Sequence, residues 1–327
     1  MNLIIPMAGK GTRLRPQTLT TPKPLINIAG RTIIQRIVDL VSKSNITIEN
    51  IGFVIEQKNK NIEELLCSVS KKNKIKAHVF YQKEPNGTAH AIYCAKELLK
   101  GPTLVVFADT LFDASLKFPK DIDACILVKE VPNPSSYGVV QLNEIEQVVG
   151  FIEKPKNNIS NLAIIGVYYF KEGQDLRSQI SYILTNDIKE KGEFQITTAL
   201  SQLKNKGKVF KTKKINHWFD FGNPKNLLES HAEILKREQL NTPGIKNSKI
   251  IPPCYISKTA TIINSTIGPN VSIGSGTVVE NSYLENTIIQ SQSKILGAKL
   301  HSSIIGNHVE YKEGFKSVNI GDYNVLK

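Results

Sequence analysis

The stretch Leu3-Ile4-Ile5-Pro6-Met7-Ala8-Gly9-Lys10-Gly11-Thr12-Arg13-Leu14-Arg15-Pro16-Gln17-Thr18, continuing through Pro22-Lys23-Pro24-Leu25 to Gly30, decides how the chain is read. Leu3–Ile5 is a short apolar run, as expected of a strand buried in a parallel sheet. Gly9 and Gly11 follow at once, and glycines there let the backbone pass close to a ligand with its N–H groups turned towards it. Two cations come next: Arg13, which can fork two oxygens, and Lys23, a mobile point charge. Together they suit a triphosphate. The loop is not a Walker A P-loop, because Lys10 lies between the two glycines, and it lacks the third, helix-opening glycine of the dinucleotide fingerprint.

Outward from this stretch, strands and helices alternate. Thr32–Val41 has apolar residues at helical spacing, and Ile51–Ile55 reads as a second strand. Asn61–Leu66 opens a helix with Asn61 as its expected N-cap. Ala77–Tyr81 is a third strand, Thr88–Leu99 a helix ended by Gly101-Pro102, and Leu104–Ala108 a fourth strand running into Asp109. This alternation implies a parallel sheet covered on both faces, with ligands beyond the carboxyl ends of the strands. Strands are then expected at Ala124–Val131, Tyr137–Leu142, Gln147–Glu153 and Leu162–Phe170. Helices over about 175–186 and 195–204, a strand near Val209 and a helix over Pro224–Glu238 follow. Asn241-Thr242-Pro243-Gly244 carries turn chemistry without periodicity and marks a linker. Two domains are therefore expected, 1–240 and 241–327.

Beyond residue 250 the pattern changes. Ile267-Gly268, Ile273-Gly274, Val279, Ile295-Leu296-Gly297, Ile304-Ile305-Gly306 and Ile320-Gly321 bring an aliphatic residue round about every six positions, often before a glycine. This is the hexapeptide pattern of a β-solenoid, in which stacked coils bury a core that one repeat cannot. The pattern is imperfect over Asn281–Ser293.

Composition narrows the function. The chain of 327 residues is 40% hydrophobic and 22% charged, ordinary for a globular protein with ample core material. A net charge of +13 suits anionic small molecules. Nucleic acid is not expected, because the basic residues are scattered and the densest run, Lys71–Lys76, has no aromatics among them. Cys67, Cys94, Cys125 and Cys254 show neither metal-ligand spacing nor a disulfide framework, which implies a reducing, cytoplasmic setting. Neither a signal peptide nor an apolar run of membrane-spanning length is apparent. His78, His90, His217, His231, His301 and His308 show no metal spacing, and His90 reads as a packing or solvated residue.

Over its whole length the opening stretch resembles the sugar-1-phosphate nucleotidyltransferases, whose G-x-G-T-R-L-x-P-x-T…P-K-P-L pattern is present as Gly9–Thr18 and Pro22–Leu25. Further elements similar to that family follow in order: Gln82…Gly87-Thr88-Ala89-His90-Ala91, Phe107-Ala108-Asp109, Tyr137–Val140, Phe151-Ile152-Glu153-Lys154-Pro155, Gly166–Tyr169, Glu193–Thr197 and Trp218-Phe219-Asp220-Phe221-Gly222. The resemblance implies an α/β fold: a Rossmann-like, mixed, mainly parallel sheet, followed by a C-terminal left-handed β-helix of hexapeptide repeats. It implies catalytic roles for Arg13 and Lys23 on the triphosphate and the leaving pyrophosphate. Nucleotide contacts fall to Ala8, Gly9, Gly11, Thr12, Gln82, Gly87 and Thr88. Gly138, Glu153, Lys154 and Tyr168 fall to the sugar phosphate, and Asp109 and Asp220 to Mg²⁺.

The implied reaction explains why these residue types are needed. A sugar phosphate is already an anion at neutral pH, so no protein base is required. The protein has to hold two mutually repelling phosphates in line and neutralise charge. Gln82 stands where thymidylyl- and uridylyltransferases bond a pyrimidine, and guanylyltransferases acting on mannose 1-phosphate tend to carry an acidic residue there. The closest likeness is to glucose-1-phosphate thymidylyltransferases. Met7, Ala8 and Asn223 depart from that pattern, and Ala8–Gly11 with Gly87–Ala91 also resemble the uridylyltransferase that makes UDP-N-acetylglucosamine. Thymine against uracil therefore stays open. Two other readings are an acyl-transferring C-terminal domain, with His301 or His308 as its base, and a regulatory subunit with a degenerate transferase domain. The shortness of the repeat region speaks against the first, and the retained Arg13, Lys23, Asp109 and Asp220 against the second. The repeat region is expected to serve regulation or assembly into a homo-oligomer.

Overall fold

The computed structural model describes residues 1–157, 159–238, 245 and 247–326; the expected linker at 241–244 lies outside them. The chain packs as two compact units, each discontinuous in sequence: Met1–Gly9 with Ile37–Trp218, and Lys10–Arg36 with Phe219–Lys327.

The first unit is built on a nine-stranded sheet. Its strands are β1 (Asn2–Pro6), β2 (Asn50–Ile55), β3 (Lys76–Tyr81), β4 (Thr103–Val106), β5 (Ala124–Glu130), β6 (Gly138–Leu142), β7 (Val148–Glu153), β8 (Leu162–Phe170) and β9 (Phe210–Lys214). Their order is β7-β6-β8-β4-β1-β2-β3, with β5 between β8 and β9. The neighbours β4, β1, β2 and β3 run parallel, as the alternating pattern implies, and β9 lies parallel to β5. Strand β8 is antiparallel to β4, β5 and β6, so the sheet is mixed. Leu3, Ile4, Ile5, Leu104, Val105 and Val106 are all fully buried, which is why these strands read as unbroken apolar runs.

Helices α1 (Ile33–Ser42), α2 (Lys60–Lys72), α3 (Thr88–Cys94), α4 (Gly173–Thr185), α5 (Ile196–Asn205) and α6 (Pro224–Glu238) match the expected segments closely. Two boundaries differ. Helix α2 is capped by Asn59, not Asn61: the Asn59 side chain accepts from Ile62 N at 3.2 Å, and Glu63 reaches back to Asn59 N at 3.1 Å. That reciprocal box satisfies two otherwise orphaned donors, which Asn61 could not do from inside the first turn. Helix α3 ends at Cys94 and tightens into a 3₁₀ turn over Lys96–Leu98. Among the described residues no helix is long and apolar enough to cross a membrane.

In the second unit, residues from Lys249 onward wind as short parallel strands in three ladders. One inward column is Ile256, Ile273, Ile289, Ile305 and Ile320, each beside the next, so successive coils advance by 17, 16, 16 and 15 residues. A second column runs Ile250, Ile267, Leu284 and Leu300, and a third Ile262, Val279, Ile295 and Tyr311. Three full hexapeptides would need 18 residues. The coils are shortened because some sides take five residues, as from Val279 to Leu284 and from Leu284 to Ile289. This is the physical reason the six-residue pattern falters over Asn281–Ser293. Ile273 is fully buried between Ile256 and Ile289. Ile273→Ala is expected to lower stability by about 3 kcal/mol, read from a urea unfolding curve, since its stacked neighbours are fixed by their own ladders and cannot collapse into the void.

Candidate functional site

The residues picked out by the sequence fall into three groups, two in the first unit and one in the second. The first group sits at the carboxyl end of β3. After β3 the chain reaches Gln82, buried to 6% exposure, with Gly87 and α3 five residues on. Gly87 has φ +104°, and a Cβ there would lie 2.6 Å from Phe194 O. Only glycine lets the loop lie this close to Glu193–Ile196. The approach is fixed by Ala89 N donating to Phe194 O (2.9 Å) and Phe194 N to Asn86 O (3.0 Å). Thr88 Oγ1 donates to Gln195 Oε1 (3.1 Å) and accepts from Ile196 N (3.0 Å).

The Gln82 amide is oriented by two contacts of its Nε2, to Gly87 O and to His90 Nδ1, each at 3.1 Å. His90 lies in the first turn of α3, three residues after the N-cap Gly87. Burial lowers the His90 pKa, which favours the neutral ring, and because the Gln82 amide nitrogen can only donate, the Nδ1 facing it accepts. With Nε2 so engaged, Gln82 presents Oε1, an acceptor. His90 thus does more than pack. The only trace in the sequence was its spacing from Gly87.

The second group lies where β4 and β7 end, beside the middle of the antiparallel β8. Strand β8 shifts register between Ile164 and Tyr168, and at the shift Gly166 has φ +80° with Phe107 packed so tightly that a Cβ would meet Phe107 Cβ at 2.9 Å. Phe107 N donates to Gly166 O at 2.8 Å, ending β4 before the half-buried Asp109. The Tyr168 ring tilts against Phe107 with centroids 5.7 Å apart. Burial raises the Tyr168 phenol pKa most, and the charges of Glu153 and Asp109 raise it further, so the three side chains share one electrostatic neighbourhood. Glu153 itself is raised by burial, partly offset by Lys154. Its Oε2 would meet a Gly138 Cβ at 3.0 Å, so a bare backbone at 138 gives that carboxylate its space.

Lys154 follows β7 with φ +46°, a left-handed conformation that few non-glycine residues adopt. Its amide donates to Tyr137 O at 3.1 Å, and Lys191 Nζ donates to the carbonyls of Glu153 (2.8 Å) and Lys154 (2.9 Å). These contacts hold the turn, and the Lys154 side chain stays 53% exposed. Lys191 was not singled out by the sequence, because a lone lysine in a polar turn carries no pattern.

The third group belongs to the second unit. Gly11 has φ +58°, and its carbonyl accepts from Thr18 Oγ1 (2.7 Å) and Leu14 N (2.8 Å). A Cβ on Gly11 would lie 3.4 Å from Lys23 Cβ, so the glycine turn and the lysine are neighbours. Leu14 is buried while Thr12 and Arg13 are exposed, which turns the polar edge of the turn outward. Asp220, in the same unit, accepts from Gly222 N (2.8 Å) and Asn226 Nδ2 (2.6 Å) at its two carboxylate oxygens. A carboxylate offers about four lone-pair sites, so these bonds do not prevent it from taking a hard cation as well. Ala8 and Gly9 end the opening segment of the first unit.

The sequence model of the nucleotidyl transferase family matches residues 3–237, more than two thirds of the chain. The chain belongs to that family. The bifunctional protein GlmU of Methanococcus aeolicus is 30% identical over 334 residues, a match covering 94% of this chain and 77% of that protein. The protein of the same name from Methanocaldococcus jannaschii is 34% identical over 242 residues, 74% of this chain but only 56% of its own length. The glucose-1-phosphate thymidylyltransferase of Streptomyces griseus is 26% identical, with 95% of this chain and 93% of that protein covered. Among solved structures, a putative glucose-1-phosphate thymidylyltransferase from Bacillus anthracis superposes with a TM-score of 0.61 at 21% identity, over 74% of this chain and 97% of the other, a likeness of fold. The family's enzymes are sugar-1-phosphate nucleotidyltransferases and generally use a divalent metal ion. Among the described residues no three His, Cys, Asp or Glu side chains gather as a metal site. The family's chemistry asks for less: Mg²⁺ is commonly held by one or two carboxylates together with substrate phosphates.

Proposed function

We propose that the protein transfers a thymidylyl group from dTTP to glucose 1-phosphate, releasing pyrophosphate and giving dTDP-glucose. The observation that carries the base assignment is the Gln82 amide, held by Gly87 O and His90 Nδ1 so that its carbonyl oxygen is presented. Thymine and uracil offer an N–H at N3 to such an acceptor. Cytosine and adenine offer a lone pair at the corresponding edge and are repelled. Uracil differs from thymine by one methyl group, which this contact does not sense, so a UTP-dependent reaction is the second reading. The full-length likeness to a thymidylyltransferase, 26% over 95% of the chain, supports the first.

In this reading the sugar phosphate oxygen attacks the α-phosphorus, and the bond from that phosphorus to the bridging oxygen breaks as pyrophosphate leaves. Arg13 and Lys23 neutralise the triphosphate and the departing charge, and Gly9, Gly11 and Thr12 let the backbone approach it. Lys154 takes the sugar phosphate, while Gly138, Glu153 and Tyr168 line the sugar pocket. Glu153 accepts a sugar hydroxyl, and the bare Gly138 gives the Glu153 carboxylate its space beside the sugar. Asp109 and Asp220 would hold Mg²⁺, a hard cation that suits carboxylate oxygens and supplies charge stabilisation to the phosphates. A reducing, cytoplasmic setting is supported by the four cysteines, all unpaired.

The test is a panel of dTTP, UTP, GTP, CTP and ATP with glucose 1-phosphate, N-acetylglucosamine 1-phosphate and mannose 1-phosphate, read as pyrophosphate release. dTTP with glucose 1-phosphate is expected to lead, with CTP and ATP lower by at least about a hundredfold, since a buried acceptor left facing another acceptor is heavily penalised. A lead for UTP or GTP, or equal rates with CTP, would refute the assignment.

A further inference from the structure

The Lys10–Arg36 segment is built of short pieces: 3₁₀ turns at Thr12–Leu14, Gln17–Leu19 and Lys23–Leu25, a two-residue ladder between Asn27–Ile28 and Arg31–Thr32, and the first turn of α1. Bonds such as Leu14 N to Gly11 O and Leu25 N to Pro22 O close these turns locally, while the seat of the segment as a whole is set by what it lies on. It lies on the solenoid of its own unit. Gln17, 3% exposed, donates its amide to two backbone carbonyls on adjacent coils, Ile304 O at 3.2 Å and Ile320 O at 3.1 Å. Thr20 and Thr21 both donate to Asp322 Oδ2, at 2.6 and 2.9 Å. The other oxygen of Asp322 is fixed by Asn307 N at 2.6 Å, so the carboxylate is aimed at the loop by the coil beneath it. Gln290, 5% exposed, makes a two-way amide pair with the backbone of Asn27, accepting from its N–H at 3.2 Å and donating to its carbonyl at 3.0 Å. Gly30 lies so close to Tyr255 that a Cβ would fall 2.3 Å from the ring.

The placement of these contacts along the chain matters. Gln17, Thr20 and Thr21 all fall between Arg13 and Lys23, and the Asn27–Gln290 pair follows soon after Lys23. Both cations are therefore carried on a strap pinned to the solenoid between them and beyond them. Polar surface residues docked only for stability have no reason to cluster around two cations. We propose that the solenoid is a positioning element for nucleotidyl transfer: Asp322 and Gln290, with the carbonyls of Ile304 and Ile320, hold Gln17, Thr20, Thr21 and Asn27 so that Arg13 and Lys23 stand ready for the triphosphate. This rests on the reading of Arg13 and Lys23 as triphosphate ligands. None of these solenoid groups touches substrate in this scheme; each acts through the strap.

The experiment uses the full-length protein, Mg²⁺, and the nucleotide and sugar phosphate that give the highest pyrophosphate release in the panel. Four variants are compared with the wild type: Asp322→Ala, Thr20→Val with Thr21→Val, the three changes combined, and Asp322→Asn. Asp322→Ala and the paired threonine change are each expected to raise KM for the nucleotide about tenfold, the effect of losing one or two charge-assisted bonds. KM for the sugar phosphate should stay within about twofold, since a strap that holds only the triphosphate ligands has no hold on it. The triple change should add little, because the bonds lost are the same ones. Asp322→Asn should largely restore activity: its oxygen can keep Asn307 N–H while its amide donates to the threonine hydroxyls, which accept as well as donate. If Asp322→Ala proves too unstable to assay, the threonine pair asks the same question and leaves the Asp322–Asn307 bonds intact. Arg13→Ala separates the two layers of the argument. Should it lose at least about a hundredfold while Asp322→Ala and the threonine pair keep nucleotide KM within twofold of wild type, the positioning role is overturned and the ligand reading stands. Should Arg13→Ala be silent, the ligand reading falls and the positioning role with it.

Discussion

Replacing Asp109 or Asp220 by asparagine is expected to cut pyrophosphate release at least about a hundredfold while leaving the protein folded. The change is isosteric and removes only the charge, so it asks whether a carboxylate, as distinct from a hydrogen-bonding side chain of that shape, is required. Asp220 shows why the fold should persist. Its two oxygens accept from Gly222 N and Asn226 Nδ2. An asparagine keeps the first bond through its own oxygen, and the second survives if the Asn226 amide turns over to present its oxygen. Asp109 follows the end of β4, where the strand is already closed by the Phe107–Gly166 bond, so its charge is not what ends the strand. Charge removal should instead be felt at the phosphates, where losing one preorganised electrostatic partner commonly costs roughly 3–4 kcal/mol. The check is steady-state turnover beside circular dichroism and thermal unfolding of the same samples. A chelator should silence the wild type, and added Mg²⁺ should restore it. Near-full turnover in either variant, with its fold intact, would sink the assignment of that residue.

What the sequence disclosed and what it hid follow the range of the interactions. Ile273 and Val279 announced two of the inward columns because a solenoid repeats its contacts every few residues, and aliphatic periodicity is a local signal. The strand end at Tyr81 was legible for the same reason, and that of β1 to within one residue, Ile5 against Pro6: an apolar run stops where the sheet stops being covered. Strand β8 was found to the residue, yet its antiparallel pairing with β4 was not, because the direction of a neighbour leaves no mark on a strand buried on both faces. Gln17 and Thr20 are the opposite case. They are polar residues in an aperiodic loop, and their partners, Ile320 and Asp322, lie about 300 positions away along the chain. No window of sequence contains both halves of such a bond. The functional stretch was recognisable by its chemistry, whereas the means of holding it in place became visible only in three dimensions.

The second large effect concerns acid. His231, on α6, is fully buried, its Nε2 2.6 Å from Ser272 Oγ on the solenoid, and its Nδ1 finds no hydrogen-bond partner among the described residues. Burial, and secondarily the positive charge of Arg36, push its pKa down to about 3. In the unfolded chain a histidine titrates near 6.5. Above pH 6.5 both states carry neutral imidazole, and the folded state keeps its full advantage. Between about 6.5 and 3 the unfolded state binds a proton that the folded state refuses, so stability falls as pH falls. Each pH unit in that window is worth about 1.4 kcal/mol, which makes the loss roughly 2–3 kcal/mol by pH 4.5. Arg36 is itself engaged, donating from Nη1 to Glu238 at 2.6 Å and from Nε to Ile28 O at 2.9 Å, so it cannot swing away when a proton approaches. Urea midpoints measured at pH 8, 6.5, 5.5 and 4.5 should therefore decline steeply in the wild type. His231→Gln removes the titrating ring while keeping a polar group for Ser272, and its decline should be shallower by about the amount assigned to the histidine. Parallel curves for the two proteins would mean that His231 accepts its proton in the folded state at little cost, and that other groups set the acid limit.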